Sequence, residues 1–164
     1  MASDLSPRDR DLVIRTIIGE AGNQGPQGQA AVANVILNRL AAGKYGKTAS
    51  DVVLAPNQFE PWSTRSKELL GYKSDSAAYK NVGDIVDMVA SGDIPDQTSG
   101  ATHFLNADIV RQRTGGSLPS WAAKPIAKIG EHTFFAPNGP VTPGSAPSSV
   151  DPMDAITQAI NSEQ

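Results

Sequence analysis

The sequence IIGEAGNQGPQGQAAVANVILNR, residues 17–39, contains the end of one helical pattern, a turn rich in glycine and amides, and a second helix of small apolar residues. Glu20 lies at the junction, next to Gly19 and Ala21. A carboxylate at the C-terminal end of a helix meets the negative end of the helix dipole, which disfavours its charged form. Apolar walls from two packed helices would raise its pKa further. We therefore predict that Glu20 donates a proton near neutral pH, the alternative being an ordinary surface carboxylate.

The sequence on either side of this stretch predicts a mainly helical domain. Ser6 followed by Pro7 is typical of a helix start. Residues 27–40 are apolar on most sides, which predicts a buried helix. Shorter helical patterns follow at residues 48–54 and 74–91.

Two β-like segments occur late in the chain: ATHFLN, residues 101–106, and AKIGEHTFFA, residues 127–136. Gly130 in the second segment is expected at a turn or bulge. Residues 58–62, QFEPW, are predicted to form a loop. The predicted fold class is therefore α+β, a mainly helical domain with a small β-sheet.

The domain organisation follows from composition. Residues 1–136 are predicted to form the catalytic domain, and residues 137–150, PNGPVTPGSAPSSV, a linker rich in proline, glycine and serine. Residues 151–164 have one apolar side but are too few to form a stable helix alone in water. We expect that segment to fray or to dock on a partner.

Composition and charge exclude several classes of function. With a net charge of −3 and a pI near 5.3, the 164-residue chain lacks the basic surface that nucleic-acid binding requires. The absence of cysteine excludes thiol catalysis and disulfides. The first residues, MASDLSPRDRDLVIRT, carry charges where a signal peptide needs an apolar run. No stretch approaches the roughly 20 apolar residues of a membrane span, so no membrane association is predicted.

Several sequence blocks together resemble the SleB-type cell wall hydrolases, which include the spore-cortex-lytic enzymes. The resemblance covers residues 12–135, and its blocks are IIGEAGNQGPQGQAAVANVILNRL, Gln58-Phe59 with Trp62, GATHF at 100–104, PSWA at 119–122 and IGEHTFF at 129–135. The chain departs from the family pattern at residues 22–24, where GNQ replaces a frequent arginine and second glutamate, and at Leu105.

The resemblance implies a lysozyme-like or resuscitation-factor-like fold that cleaves the glycan strands of peptidoglycan. It also implies lytic transglycosylase chemistry, with Glu20 as the acid and no cofactor. A glycosidase that uses water needs two carboxylates, about 5–5.5 Å apart for retention or about 6.5–9.5 Å apart for inversion. A lytic transglycosylase needs one, because the C6 hydroxyl of the departing sugar is the nucleophile. If Glu60 or Glu131 faces Glu20 across the cleft, it supplies the second carboxylate, and hydrolysis with water is again an alternative.

Aromatic and polar residues of the later blocks are the candidate substrate contacts. Aromatic faces stack on sugar rings, and a carboxamide pairs with an N-acetyl group. Core packing is the alternative for Phe59, and a structural role is the alternative for Trp121. Thr102 and His103 are expected to orient Glu20 or the acetamido group. The full set is Gln58, Phe59, Trp62, Thr102, His103, Phe104 and Trp121.

The spacing of His103, Asp108 and His132 does not indicate a zinc site, so no metal is predicted. The predicted partner is the peptidoglycan glycan strand. The expected origin is a bacteriophage: a lysin tethered to the virion through residues 151–164, or an endolysin held in the host cytoplasm until a separate pore releases it. The alternative from another class is a non-catalytic glycan-binding or structural virion module.

Overall fold

The computed structural model describes residues 5–56 and 58–141 of the chain. Most of the predicted linker and all of the segment 151–164 lie outside the described residues. None of the described helices has the length and apolar character that a membrane span requires. In chain order the elements are α1 (Pro7–Ala21), α2 (Pro26–Ala42), α3 (Ala49–Leu54), α4 (Glu60–Thr64), α5 (Ser66–Leu70), α6 (Ala77–Ser91), β1 (His103–Leu105), α7 (Ala107–Thr114), β2 (Pro125–Ile129) and β3 (His132–Phe135).

The helix starts and ends follow local chemistry. The Ser6 hydroxyl accepts a hydrogen bond of 3.0 Å from the Asp9 amide and caps α1, and Pro7 occupies its first turn. α2 begins at Pro26 and ends at Gly43, which adopts the left-handed conformation with φ of 81°. Every residue from 28 to 41 is buried, so the prediction of a buried helix is confirmed.

The main core lies between α1, α2, α3 and α6. Polar contacts fix the order of these helices: the buried Asp9 carboxylate accepts hydrogen bonds from the amide and hydroxyl of Ser50 on α3, and Arg10 pairs with Asp87 on α6. Because α2 is enclosed by the other helices, it holds the C-terminal end of α1 in place. The largest fully buried side chains of this core are Phe59, Ile14, Ile17, Ile36, Val13, Val32 and Val52.

The late β-like segments form a three-stranded antiparallel sheet in the order β1-β3-β2. Gly130, with φ of 60°, lies in the turn between β2 and β3, as predicted. Side chains alternate between the two faces of a strand. Phe104 and Phe134 therefore lie on the face toward the helices, where their ring centroids are 5.8 Å apart. Leu105 and Phe135 pack together on the opposite face.

The α+β fold, mainly helical with a small sheet, is confirmed, and one prediction of local structure is wrong. Residues 58–62 are not a loop throughout, because α4 begins at Glu60 and includes Trp62. Its first turn contains Pro61, which is tolerated there because the first amides of a helix have no intrahelical partner. The short helices α5 and α7 were not predicted either.

Candidate active site

Glu20 lies in the last turn of α1. It lines a cleft of about 640 Å³ between the helices and the sheet. Among the described residues, no hydrogen bond or ion pair engages the Glu20 carboxyl. The carboxyl is therefore available to a ligand. The cleft is lined by Gly19, Glu20, Asn23, Gln24, Arg39, Gln58, Glu60, Ser63, Phe104, Leu105, Asn106, Ile109, Val110, Arg113, Glu131 and His132.

The environment of Glu20 favours its protonated form. Burial is the largest effect, and together with the negative charge of Glu60 it raises the pKa of Glu20 from 4.5 to about 7. The positive charges of Arg65 and Arg39 oppose this shift without cancelling it. Near neutral pH, a substantial fraction of the Glu20 carboxyls carry the proton that an acid catalyst needs.

Gly19 allows α4 to approach α1 directly beside Glu20. A Cβ atom at Gly19 would lie 2.7 Å from the Cβ of Pro61, closer than carbon atoms normally pack. One turn earlier on α1, the Thr16 hydroxyl accepts a hydrogen bond of 2.8 Å from the indole of Trp62. These contacts fix α4 against α1 and thereby place Glu60, the first residue of α4, at the cleft.

Arg39 is a buried cation in the wall of the cleft that the sequence reasoning missed. Its side chain is on α2, and the residue is 4% exposed. It donates hydrogen bonds to the carbonyl of Thr102, at 2.6 Å, and to Oε1 of Gln58, at 3.0 Å. Its guanidinium carbon lies 5.0 Å from the ring centroid of Phe59. The signal in the sequence was a charged residue inside an otherwise apolar buried helix.

Gln24 joins the turn after α1 to the turn between β2 and β3. Its side-chain amide donates to Nδ1 of His132 at 3.2 Å, and its Oε1 accepts from the amide of Glu131 at 3.4 Å. Burial lowers the pKa of His132, which favours the neutral ring that can accept this bond. Gln24 therefore holds the sheet against the end of α1 across the floor of the cleft.

Residues 23–135, more than half of the chain, match the family described as "Cell Wall Hydrolase". The chain belongs to the cell wall hydrolase family. The match begins three residues after Glu20, so Glu20 itself precedes the matched segment.

Relatives and solved structures agree with this assignment. The chain is 30% identical over 129 residues to the spore cortex-lytic enzymes of Bacillus cereus and Halalkalibacterium halodurans. Each alignment covers 79% of this chain but only 44% and 35%, respectively, of the relatives' own length. The fold resembles the crystal structure of the catalytic domain of the Bacillus cereus SleB protein, with a TM-score of 0.60 and 27% sequence identity. The superposition covers 80% of this chain and 91% of that domain.

A second solved structure gives a similar result. The catalytic domain of the germination-specific lytic transglycosylase SleB from Bacillus anthracis superposes with a TM-score of 0.59 and 26% identity. The superposition covers 79% of this chain and 95% of that domain. The resemblance to SleB-type proteins that the sequence blocks indicated is therefore confirmed.

Within this cell wall hydrolase domain, two of the predicted substrate contacts line the cleft with Glu20. Gln58 is exposed at its rim, and Phe104 lies 4.8 Å from the His132 ring, centroid to centroid. Phe59 and Thr102 are 1% and 3% exposed, so neither presents side-chain surface to a ligand. Phe59 packs in the main core, which was the alternative to substrate contact.

Three other predicted contacts are placed elsewhere. Trp62 is partly buried, with its indole directed to Thr16, and is not among the cleft-lining residues. His103 and Trp121 pack together on the opposite face of the sheet, with ring centroids 4.9 Å apart. Burial lowers the pKa of His103 to about 4. The two histidines therefore lie on opposite sides of the sheet and do not converge on a metal.

The structure also places Glu60 and Glu131 in the cleft with Glu20. Both are exposed, and Glu60 lies 3.9 Å from the guanidinium of Arg113. The water-using alternative requires a second carboxylate near Glu20, and Glu60 and Glu131 both line the same cleft.

Proposed function

We propose that this chain cleaves the glycan strands of peptidoglycan as a lytic transglycosylase, with Glu20 as general acid and then general base. The observation that carries the proposal is a carboxyl with a pKa of about 7, free of hydrogen bonds to described residues, in an open cleft. Membership of the cell wall hydrolase family and the name of the Bacillus anthracis relative support the substrate and the reaction class.

The reaction needs one proton to leave Glu20 and one to return. Glu20 protonates the glycosidic oxygen as the bond to C1 of the N-acetylmuramic acid (MurNAc) breaks, and the next sugar departs with a free hydroxyl. The ionised Glu20 then accepts the proton of the C6 hydroxyl of the same MurNAc. Its O6 bonds to C1 and closes a 1,6-anhydro ring, and Glu20 is protonated again.

A water-using muramidase is the second candidate, and the shared cleft of Glu20, Glu60 and Glu131 favours it. In that reaction Glu20 still protonates the glycosidic oxygen. Glu60 or Glu131 then removes a proton from water, whose oxygen bonds to C1 and leaves a hydrated reducing end.

The deciding experiment is a digest of purified peptidoglycan, with the products weighed by mass spectrometry. The wild type, Glu20→Gln and the exposed control Asp75→Asn are compared at one enzyme concentration. The proposal predicts anhydro-muropeptides, one water lighter than hydrated products, from the wild type and the control and none from Glu20→Gln. Hydrated ends that disappear in Glu60→Gln or Glu131→Gln would establish the muramidase. No cleavage by the wild type would favour a non-catalytic glycan-binding module.

We also propose that the enzyme is a bacteriophage lysin attached to the virion through residues 151–164. Support comes from the spacing of Met153, Ile156 and Ile160 in the sequence, which predicts one apolar side that would pack on a partner protein. The variant lacking residues 151–164 should digest peptidoglycan normally and be missing from purified particles. Unchanged incorporation would refute the tether and leave the pore-released endolysin.

A further inference from the structure

A second cavity of about 940 Å³ adjoins the cleft that contains Glu20. It lies between the end of α1, the turn that follows it and one face of α6. Gly19, Asn23 and Gln24 line both spaces, so the two cavities adjoin along these residues, and Gly19 directly precedes Glu20 in the chain. The second cavity is lined by Ile18, Gly19, Gly22, Asn23, Gln24, Pro26, Gln29, Arg65, Tyr72, Ala78, Asn81, Val82, Asp84, Ile85 and Met88.

The lining suits a peptide better than a sugar. Sugar rings are held by aromatic faces, yet Tyr72 is the only aromatic residue in this lining. Aliphatic walls such as Ile85 and Met88 fit methyl side chains, and the side-chain amides of Asn23 and Asn81 can pair with peptide groups. One cation, Arg65, and one anion, Asp84, complete the surface.

Arg65 is placed where this cavity meets the catalytic cleft. Its Nη2 donates to the carbonyl of Gly19 at 2.8 Å, one residue before the acid. Its Nη1 pairs with Glu68 at 2.9 Å, and both of these side chains are about half exposed. Exposed ion pairs contribute little stability, so a ligand carboxylate can replace Glu68 on the guanidinium at low cost. A guanidinium binds carboxylates through paired hydrogen bonds.

Peptidoglycan, the proposed substrate, carries a peptide that would lie close to the second cavity. In peptidoglycan the stem peptide is attached through the lactyl group of MurNAc, the sugar whose C1 reacts. The peptide must therefore leave the catalytic cleft close to Glu20. Its alanine methyls, its carboxylates and the amino group of its diamino acid match the chemistry of the second cavity.

We propose that the second cavity holds the stem peptide of the MurNAc residue being cleaved, with Arg65 binding a peptide carboxylate and Asp84 binding the amino group. This inference rests on the proposed function, because it assumes that peptidoglycan is the substrate. It assigns Arg65 and Asp84 to substrate selection. Arg65 also lowers the pKa of Glu20, but that effect acts on both kinds of strand alike and leaves the ratio between them unchanged.

The test compares two soluble substrates from one preparation: glycan strands that keep their stem peptides, and the same strands stripped of peptide by an amidase. The measured quantity is the ratio of kcat/KM for peptide-bearing strands to kcat/KM for stripped strands. The variants are Arg65→Met and Asp84→Asn, and the control is Arg8→Met, an exposed arginine in the first turn of α1. Asp84→Asn leaves the bond between Arg65 and Gly19 intact, so it serves if Arg65→Met folds poorly.

We expect the wild type and Arg8→Met to prefer peptide-bearing strands. The ratio should fall by about two- to fivefold in each of the other two variants, as expected for loss of one partly exposed charged contact. A wild-type ratio near one, or a ratio that both variants leave unchanged while cleavage continues, would overturn the inference and leave the proposed function standing. Cleavage of neither substrate by the wild type would overturn both.

A binding measurement provides a readout that does not depend on turnover. Glu20→Gln should bind immobilised peptide-bearing glycan strands more tightly than immobilised stripped strands. Adding Arg65→Met or Asp84→Asn should remove this difference, whereas adding Arg8→Met should keep it. Equal affinity of Glu20→Gln for both kinds of strand would contradict the assignment.

Discussion

Gly19 and Pro61 pack so closely that a Cβ atom on Gly19 would lie 2.7 Å from the Cβ of Pro61 and 3.0 Å from a methyl carbon of Leu69. The absence of a side chain at Gly19, immediately before Glu20, therefore allows α4 to pack against α1. Because Glu60 begins α4, this contact also controls the negative charge that raises the pKa of Glu20.

Gly19→Ala should displace α4 and destabilise the protein. Alanine gains up to about 1 kcal/mol of helix propensity over glycine, but overpacking costs about 1–3 kcal/mol, so a net loss of about 1 kcal/mol is expected. Urea denaturation measures it. The control is Gly25→Ala, because a Cβ atom there meets nothing within 4 Å; Gly25 is the N-cap of α2, so the control loses only the preference of that position for glycine over alanine. A Gly19→Ala variant as stable as the wild type would show that α4 adjusts freely.

Glu60→Gln should move the alkaline limb of the kcat/KM profile to lower pH. Removing the negative charge of Glu60 lowers the pKa of Glu20, and above that pKa the acid has lost its proton. The shift should be about half a pH unit or less, because Glu60 is mostly exposed and its charge is screened. Asp75→Asn, an exposed carboxylate outside the cleft, should leave the profile unchanged. A shift to higher pH would contradict the electrostatic account.

Glu20→Gln should be more stable than the wild type at alkaline pH. The folded pKa of Glu20, about 7, lies above its ordinary value of 4.5. Its contribution to stability is therefore fully present below pH 4.5 and is lost as the pH rises through 7. Glutamine does not titrate, so the free energy of unfolding of the variant relative to the wild type should rise over this window, by up to about 3 kcal/mol.

Urea denaturation at pH 4.5, 6 and 8 measures this trend. Glu131→Gln is the control, because it removes an exposed carboxylate from the same cleft. A pH-independent difference between Glu20→Gln and the wild type would mean that burial does not hold the proton on Glu20.

Arg39→Met should destabilise the protein and move the alkaline limb of kcat/KM to higher pH. It leaves the buried carbonyl of Thr102 without its donor, which costs about 1–3 kcal/mol, whereas Oε1 of the exposed Gln58 can bond to water. It also removes a positive charge that lowers the pKa of Glu20. Arg39→Lys keeps the charge, so it should destabilise while moving the limb much less.

Thermal denaturation and the pH profile separate the two roles of Arg39. Arg111→Met, an exposed arginine on α7, should change neither. Equal pH profiles for Arg39→Met and Arg39→Lys would indicate that the charge of Arg39 does not act on Glu20.

The parts of the fold that depend on local sequence were predictable. The buried helix α2 follows from a long apolar run, and the position of Glu20 at a helix end follows from the glycines around it. α4 was not predictable in this way, because a five-residue helix containing Pro61 has too few turns to show a helical period.

The parts of the site that depend on distant contacts were not predictable. Arg39 meets Thr102, 63 residues away, and nothing near Arg39 in the chain indicates that contact. Likewise, the sequence shows that His103 and Phe104 are consecutive aromatic residues, but it does not show which of the two rings faces the cleft. That choice depends on how β1 is paired with β3, which is a tertiary property.

The pairing of Phe104 with Phe134 has a consequence for how this family can vary in length. Since neighbouring strand residues face opposite ways, inserting or deleting a single residue within β1 would turn the Phe104 ring away from the helices and turn the side chain of His103 or Leu105 toward them. A two-residue change would preserve the orientation. Homologues that retain this cleft should therefore tolerate length changes in β1 only in even steps, unless a bulge absorbs the odd residue, as one between Pro125 and Ala127 does on β2.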